Sequence, residues 1–227
     1  VVVSTKGTVL AFCEGRRYSG RDYGDIEILL RRSFDGGKTW QPIQMIADDG
    51  PNTMGNPSPV IDQSTGMIWL LFTKNNIQVY VMNTTDDGAT WSSPSEITRN
   101  LKGENWIRYG TGPCHGIQLK SGRLIIPCWR QVNFYIHYSQ IIYGDDHGAS
   151  WELGGTVGPY MDESTVVQTS DGSLYLNMRN YSNLRAYTWS EDDGMTWSKI
   201  KFDETLVEPI CQASVARFTD KNNQDRN

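Results

Sequence analysis

The sequence predicts an all-β protein of the β-propeller type, and three observations predict it. One eight-residue phrase occurs four times, each copy lies between apolar runs of strand length, and the copies recur at the spacing of propeller blades. The phrase is Ser33-Phe34-Asp35-Gly36-Gly37-Lys38-Thr39-Trp40. It returns as Thr84-Thr85-Asp86-Asp87-Gly88-Ala89-Thr90-Trp91, as Gly144-Asp145-Asp146-His147-Gly148-Ala149-Ser150-Trp151 and as Ser190-Glu191-Asp192-Asp193-Gly194-Met195-Thr196-Trp197. The tryptophans stand 51, 60 and 46 positions apart. Asp and Gly accept the left-handed backbone of a tight hairpin turn, and the Asp carboxylate can take backbone N–H bonds within it. The Trp is expected to fill the apolar interior of its own sheet. One such hairpin every 40 to 50 residues, roughly, is the mark of four-stranded blades packed around an axis.

In chain order, residues 9–14 form an apolar strand ending in charge, and residues 25–32 form a strand running into the first Asp-Gly hairpin. Residues 67–72, 79–82, 122–127, 173–179 and 184–189 repeat the theme, with almost no helical periodicity between them. Residues 219–227 read as a polar loop. At roughly 45 to 50 residues per blade, the chain holds an incomplete set of about four to five blades. It opens at Val1 inside a strand-like run. Since an unclosed propeller exposes sheet edges, residues 1–227 are expected to be one piece of a longer propeller, its N-terminal and central blades, with both ends missing.

The net charge of −5 and pI near 5.2 argue against nucleic-acid or anionic-membrane partners. Apolar runs such as 124–129 fall far short of the ~18 residues of a membrane-spanning helix. Cys13, Cys114, Cys128 and Cys211 show neither CxxC spacing nor a metal-ligand grouping with the three histidines, and are expected to be buried free thiols. Two sequons, Asn83-Thr84-Thr85 and Asn180-Tyr181-Ser182, are short enough to arise by chance. Secreted, lysosomal and cytoplasmic compartments all remain open.

The repeated carboxylates of Asp35, Asp86, Asp146 and Asp192 are assigned a structural role. Calcium needs several oxygens converging from one loop, and each repeat offers only two or three; no metal and no cofactor are expected. Chemistry is expected where charges interrupt strand patterns. Cys13-Glu14-Gly15-Arg16 ends one strand, with Asp22 and Asp25 in the loop beyond. Asp162-Glu163 opens another strand, and Asn177-Met178-Arg179-Asn180 closes its hairpin partner, so Glu163 and Arg179, 16 residues apart, can return to one face. A surface salt bridge worth ~0–1 kcal/mol explains each pair equally well on spacing alone.

Taken together, residues 11–16, 22–33, 55–60 and 112–119, with Asp162-Glu163 through Arg179, resemble the sialidases (neuraminidases) of bacterial and animal type. Their Asp-box propellers cleave terminal sialic acid. The resemblance covers essentially the whole chain. It implies that Asp22, in preference to Asp25, is the general acid/base and that Glu163 activates the nucleophile. Arg179 then stands for the middle arginine of a triad that grips the sugar carboxylate. By the same resemblance Glu14 orients the first arginine, Arg16 is a pocket arginine, and Asn56 and Trp129 line the pocket. Sialidases depart from most retaining glycosidases in using a Tyr nucleophile; a neutral Tyr avoids repulsion by the substrate carboxylate, and a neighbouring Glu serves as its base. Planar guanidinium groups suit the carboxylate.

Departures are also visible. The first triad arginine is expected before Val1, and the third arginine and the nucleophilic Tyr beyond Asn227; Arg217 and Arg226 lie too near Arg179 to replace them. Cys114 stands where Gly is usual. The resemblance therefore implies a retaining exo-α-sialidase acting on sialylated glycans; the alternative is a non-catalytic Asp-box propeller that binds glycans or proteins. An acid paired with a base favours the enzyme.

Overall fold

The computed structural model describes residues 1–103 and 105–218. The polar run 219–227, with Arg226, lies outside the described residues. The first blade is β1 (Val2–Val3), β2 (Val9–Arg16), β3 (Ile26–Ser33) and β4 (Gln44–Ala47); the second is β5 (Met54–Ile61), β6 (Ile68–Lys74), β7 (Gln78–Thr84) and β8 (Ser95–Glu96). A single helical turn, α1 (Thr98–Leu101), precedes the third blade: β9 (Arg108–Thr111), β10 (Ile117–Gln118), β11 (Leu124–Gln131), β12 (His137–Gly144) and β13 (Glu152–Val157). The fourth is β14 (Ser164–Gln168), β15 (Leu174–Met178), β16 (Leu184–Ser190) and β17 (Lys201–Val207). Each blade is an antiparallel sheet in chain order. In the third, β9 and β10 pair with opposite halves of β11.

The apolar core lies between blades, where the faces of neighbouring sheets cover one another. β11 shows this with a period of two. Its Leu124, Ile126 and Cys128 pack with Val60, Leu71 and Val81 of the second blade, while Ile125 packs with Val166, Leu174 and Leu176 of the fourth. Likewise Ile28 of the first blade meets Leu70, Phe72 and Met82 of the second.

All four Asp boxes close the turn between the last two strands of a blade. Asp86 accepts from Thr90 N at 2.9 Å, from Thr90 Oγ1 at 2.6 Å and from Thr84 Oγ1 at 2.7 Å. Asp35, Asp146 and Asp192 repeat the bonds to Thr39, Ser150 and Thr196. These bonds hold the Asp35 and Asp86 carboxyls down at about 2.

The tryptophans correct one expectation. Trp91, Trp151 and Trp197 do not fill their own sheets but sit in the seams: Trp91 meets Phe12 of the first blade edge-on at 5.9 Å, Trp151 meets Trp69 of the second at 6.1 Å and Trp197 lies on Gly155 of the third, whereas Trp40 stays on its own blade beside Ala11 and Leu29. The reason is the lean of the second, third and fourth box turns onto the preceding blade. A Cβ on Gly88 would stand 2.8 Å from Leu10, one on Gly148 2.4 Å from Trp69 and one on Gly194 2.3 Å from Ile141, each at a positive φ. Trp69 Nε1 also donates to the His147 carbonyl at 2.8 Å, and Arg123 to that of Asp193 at 3.1 Å.

The cysteines correct a second. All four are free, but Cys13 and Cys211 are exposed; Cys128 is fully buried and Cys114 partly buried, and burial pushes both of their thiols up to about 12. Cys13 and Cys211 face a cavity rather than the core. Asn180 of the second sequon is 1% exposed and donates its amide to the Leu184 carbonyl, so the folded chain offers no glycan attachment there. No described helix is long and apolar enough to cross a membrane.

Asp86→Ala is expected to lower unfolding free energy by about 1–2 kcal/mol through unsatisfied turn donors, read from denaturant midpoints. A box carboxyl titrates in the folded state near 2, below the ordinary value near 4. Its stabilisation is therefore present above about pH 4 and lost as pH falls toward 2; the variant should lose less than wild type across that window.

Candidate active site

One open cavity of about 880 Å³ lies where the four blades converge, and the charged residues singled out in the sequence line it: Glu14, Arg16, Asp22, Glu163 and Arg179, together with Asn56 and Trp129. β5 places Asn56 there because it touches strands of both neighbouring blades.

On one side, Glu14 at the end of β2 joins two blades. Its Oε1 accepts the Asn56 backbone N–H at 2.9 Å, and its Oε2 takes Arg16 Nε at 3.2 Å and Nη2 at 2.8 Å. Asn56 sits at φ 56°, and Gly55 lets the Glu14 carboxylate come close, since a Cβ there would lie 2.8 Å from it. Arg16 in turn reaches Asp22 Oδ1 at 2.8 Å and the Gly20 carbonyl at 2.7 Å, which fixes the loop between β2 and β3. Asp22 itself remains 86% exposed. Asp25 instead faces Arg17, at 3.4 Å, outside the cavity lining. Among the described residues Arg16 is the one arginine that Glu14 holds.

Opposite stands a second acid and base. Register along the fourth blade pairs β14 with β15, so the residues just outside it, Glu163 and Arg179, meet. Arg179 Nη1 donates to Glu163 Oε2 at 2.7 Å, and the backbones exchange a bond at 2.8 Å. Burial pushes the Glu163 carboxyl up; the bond from Arg179 opposes this, and the charges of Asp162 and Asp22 add to it. Burial prevails because the carboxylate is only 15% exposed. Arg179 keeps a buried Nε without a protein partner, and its Nη2 makes no hydrogen bond among the described residues. Donors of this kind fit an anionic ligand.

Beside Trp129, which the sequence resemblance placed in the pocket, several cavity residues, His137 first among them, had no signal in the sequence. Trp129 and His137 stack at 6.1 Å, the indole lying on Gly110, where a Cβ would come within 2.1 Å of Trp129 Nε1. His137 Nδ1 lies 3.0 Å from Asp162 Oδ2 without hydrogen-bond alignment, while Asp162 Oδ1 accepts the Glu163 N–H at 2.9 Å. Asn76, Arg108 and Tyr181 also line the cavity. So does the segment after β17, held by the buried Arg185–Glu208 pair, by Arg185 on the Cys211 carbonyl at 3.0 Å and by Gln212 on the Ser164 carbonyl at 3.1 Å. Cys114 bonds to the Ser164 carbonyl across the next blade. Arg217 donates to the Gln168 carbonyl and does not enter the cavity. Among the described residues no group of three or more His, Cys, Asp or Glu gathers as metal ligands.

The blades and boxes define an Asp-box propeller whose central cavity sets carboxylates against arginines. The chain belongs to the sialidase family with BNR repeats, and the BNR repeat-like domain matches residues 7–224. It is 30% identical to an exo-alpha-sialidase of Aspergillus fumigatus over 96% of this chain and 59% of that protein, and 28% identical to a sialidase of Bacteroides fragilis over 98% and 47%. It thus spans about half the length of these relatives. Among solved structures, the Hadza microbial sialidase Hz136 superposes with a TM-score of 0.86 at 28% identity, over 92% of this chain and 47% of that one. Trypanosoma rangeli sialidase shares the fold at a TM-score of 0.74 and 18% identity, over 86% and 36%.

Glu208→Ala is expected to cost about 3–5 kcal/mol, since it leaves Arg185 buried and uncompensated. Denaturant unfolding measures the loss, and an apolar double replacement of Arg185 and Glu208 should restore most of it.

Proposed function

We propose that this chain carries the acid/base and carboxylate-gripping half of a retaining exo-α-sialidase site, which releases terminal sialic acid from glycoconjugates. One observation carries the reading. A cavity of sugar size holds an exposed carboxylate, Asp22, oriented by an arginine, opposite a buried carboxylate, Glu163, bound to an arginine with donors to spare. The names of the relatives support it.

In this reading the substrate carboxylate takes Arg179, whose remaining N–H groups can pair with it while Nη1 stays on Glu163. Arg16 and Asn56 meet the sugar ring, and Trp129 offers an apolar wall. Asp22, oriented by Arg16 yet exposed to the cavity, protonates the leaving oxygen and afterwards deprotonates the attacking water. Glu163 draws the proton from a tyrosine nucleophile of the kind sialidases use. None of the described tyrosines is hydrogen-bonded to Glu163, whose side chain Arg179 alone engages.

Asp22→Ala should slow a natural sialoside far more than an aryl sialoside, whose leaving group needs little protonation. Steady-state kinetics on the two substrates decide it; equal losses would remove Asp22 from the role. A base must be ionised, and the Glu163 carboxyl is raised, so kcat/KM should fall with decreasing pH above the ordinary carboxylate range. Asp162→Asn removes a neighbouring negative charge that contributes to the rise and should move that acid limb to lower pH. A limb unmoved by this change would separate the profile from Glu163.

A further inference from the structure

A second cavity, of about 590 Å³, adjoins the first and shares Asp22, Thr53, Asn76 and Arg108 with it. Asp22 therefore stands on the border between the two. An acid that protonates a leaving oxygen must lie at the bond being broken, with the released group on its far side. If the sugar occupies the larger cavity, the leaving group enters the smaller one.

The lining of that second cavity has its own chemistry. Arg21 and Arg108 both face it. Five arginines of the described chain are ion-paired with carboxylates, namely Arg16, Arg17, Arg123, Arg179 and Arg185. Arg21 and Arg108 have no such partner among the described residues. Arg21 donates only to the Tyr23 hydroxyl, at 3.0 Å, and lies over that ring at 5.6 Å. The negative charge that borders the cavity, Asp22, is already joined to Arg16. Asn76 is held at φ 53°, and its Oδ1 accepts from Asn56 at 2.6 Å, which leaves its amide N–H groups for a ligand. Tyr23, 65% exposed, offers a ring face of the kind that sugars stack on. In an acidic chain, two guanidinium groups without carboxylate partners among the described residues, beside an amide donor and an aromatic face, form a site for an anion carried on a sugar.

We propose that this second cavity is the leaving-group subsite and that Arg21 and Arg108 select glycans whose penultimate sugar bears an acidic group, a carboxylate or a sulfate ester. The proposal rests on the acid role of Asp22 given above. Planar guanidinium forks suit either group, and the exposed setting makes the selectivity salt-dependent.

The test separates this subsite from the activity by using probes without sialic acid. N-acetyllactosamine, its 6-sulfate and a galactosyl-glucuronate disaccharide are titrated calorimetrically into the protein at low and high salt. The anionic disaccharides should bind about tenfold tighter than the neutral one at low salt, as expected for two partly exposed charge pairs, and lose most of that margin at high salt. Preference for the sulfate alone identifies a sulfated sugar, and preference for the uronate alone a second acidic sugar. Arg21→Gln/Arg108→Gln, verified as folded by thermal unfolding, should erase the margin, whereas Arg179→Gln should keep it. Equal or undetectable binding of all three, a margin that survives the double variant, or one that disappears with Arg179→Gln would overturn the proposal. Turnover of an aryl sialoside is scored separately. If it fails while the anion preference and its loss hold, the activity reading falls and the anion site stands.

Discussion

The carboxylate of each Asp box closing its own turn is the interaction on which the remainder of this structure rests. It binds the backbone and the hydroxyl of the residue four positions on, and so holds the glycine of the box in a left-handed turn with its bare Cα presented outward. Only a residue without a Cβ can then lie against Leu10, Trp69 or Ile141 of the blade before. The seams, and the apolar clusters within them, follow from that approach. Three weak, solvent-facing hydrogen-bond networks, those of the second to fourth boxes, thus decide where large apolar surfaces meet, although the surfaces supply most of the free energy.

The cavity depends on the seams in turn. Glu14 belongs to one blade and Asn56 to the next, and their hydrogen bond exists only while the first seam is closed. Glu163 and Arg179 belong to one hairpin, but the segment opposite them is held by the Arg185–Glu208 pair and by Gln212. Positive and negative groups alternate around the opening, Glu14 to Arg16 to Asp22 on one wall and Arg179 to Glu163 beside Asp162 on the other. An overall acidic protein can keep two guanidinium groups at the base of its cavity because each is countered locally.

Much of this was legible in the sequence, and the reasons differ by element. The boxes declare themselves because their Asp, Gly, Thr or Ser and Trp are each demanded by local turn geometry, at fixed offsets. Glu163 and Arg179 were legible because an antiparallel hairpin brings together residues equidistant from its turn, so a separation of 16 is enough. The burial of tryptophans between blades was not legible, since a period-two pattern says that a residue is covered without saying by which sheet. His137, Asn76 and Arg108 were invisible for a related reason. Each belongs to a different part of the chain, and only the convergence of blades makes them neighbours. The exposure of Cys13 followed the same rule: a strand position that alternation marks as inward points into an open cavity instead.

The second, third and fourth box turns each lean on a blade that was synthesised before them. The second box meets the first blade, the third meets the second and the fourth meets the third. A nascent chain leaving the ribosome therefore offers every new blade a finished surface to dock on, and no blade has to wait for one still unmade. Contacts of this nearest-neighbour kind let an array grow by propagation from one end, at the pace of translation. The direction of the lean gives the architecture a direction of assembly, from the N-terminal blade outward, written into the side of the turn on which a glycine sits.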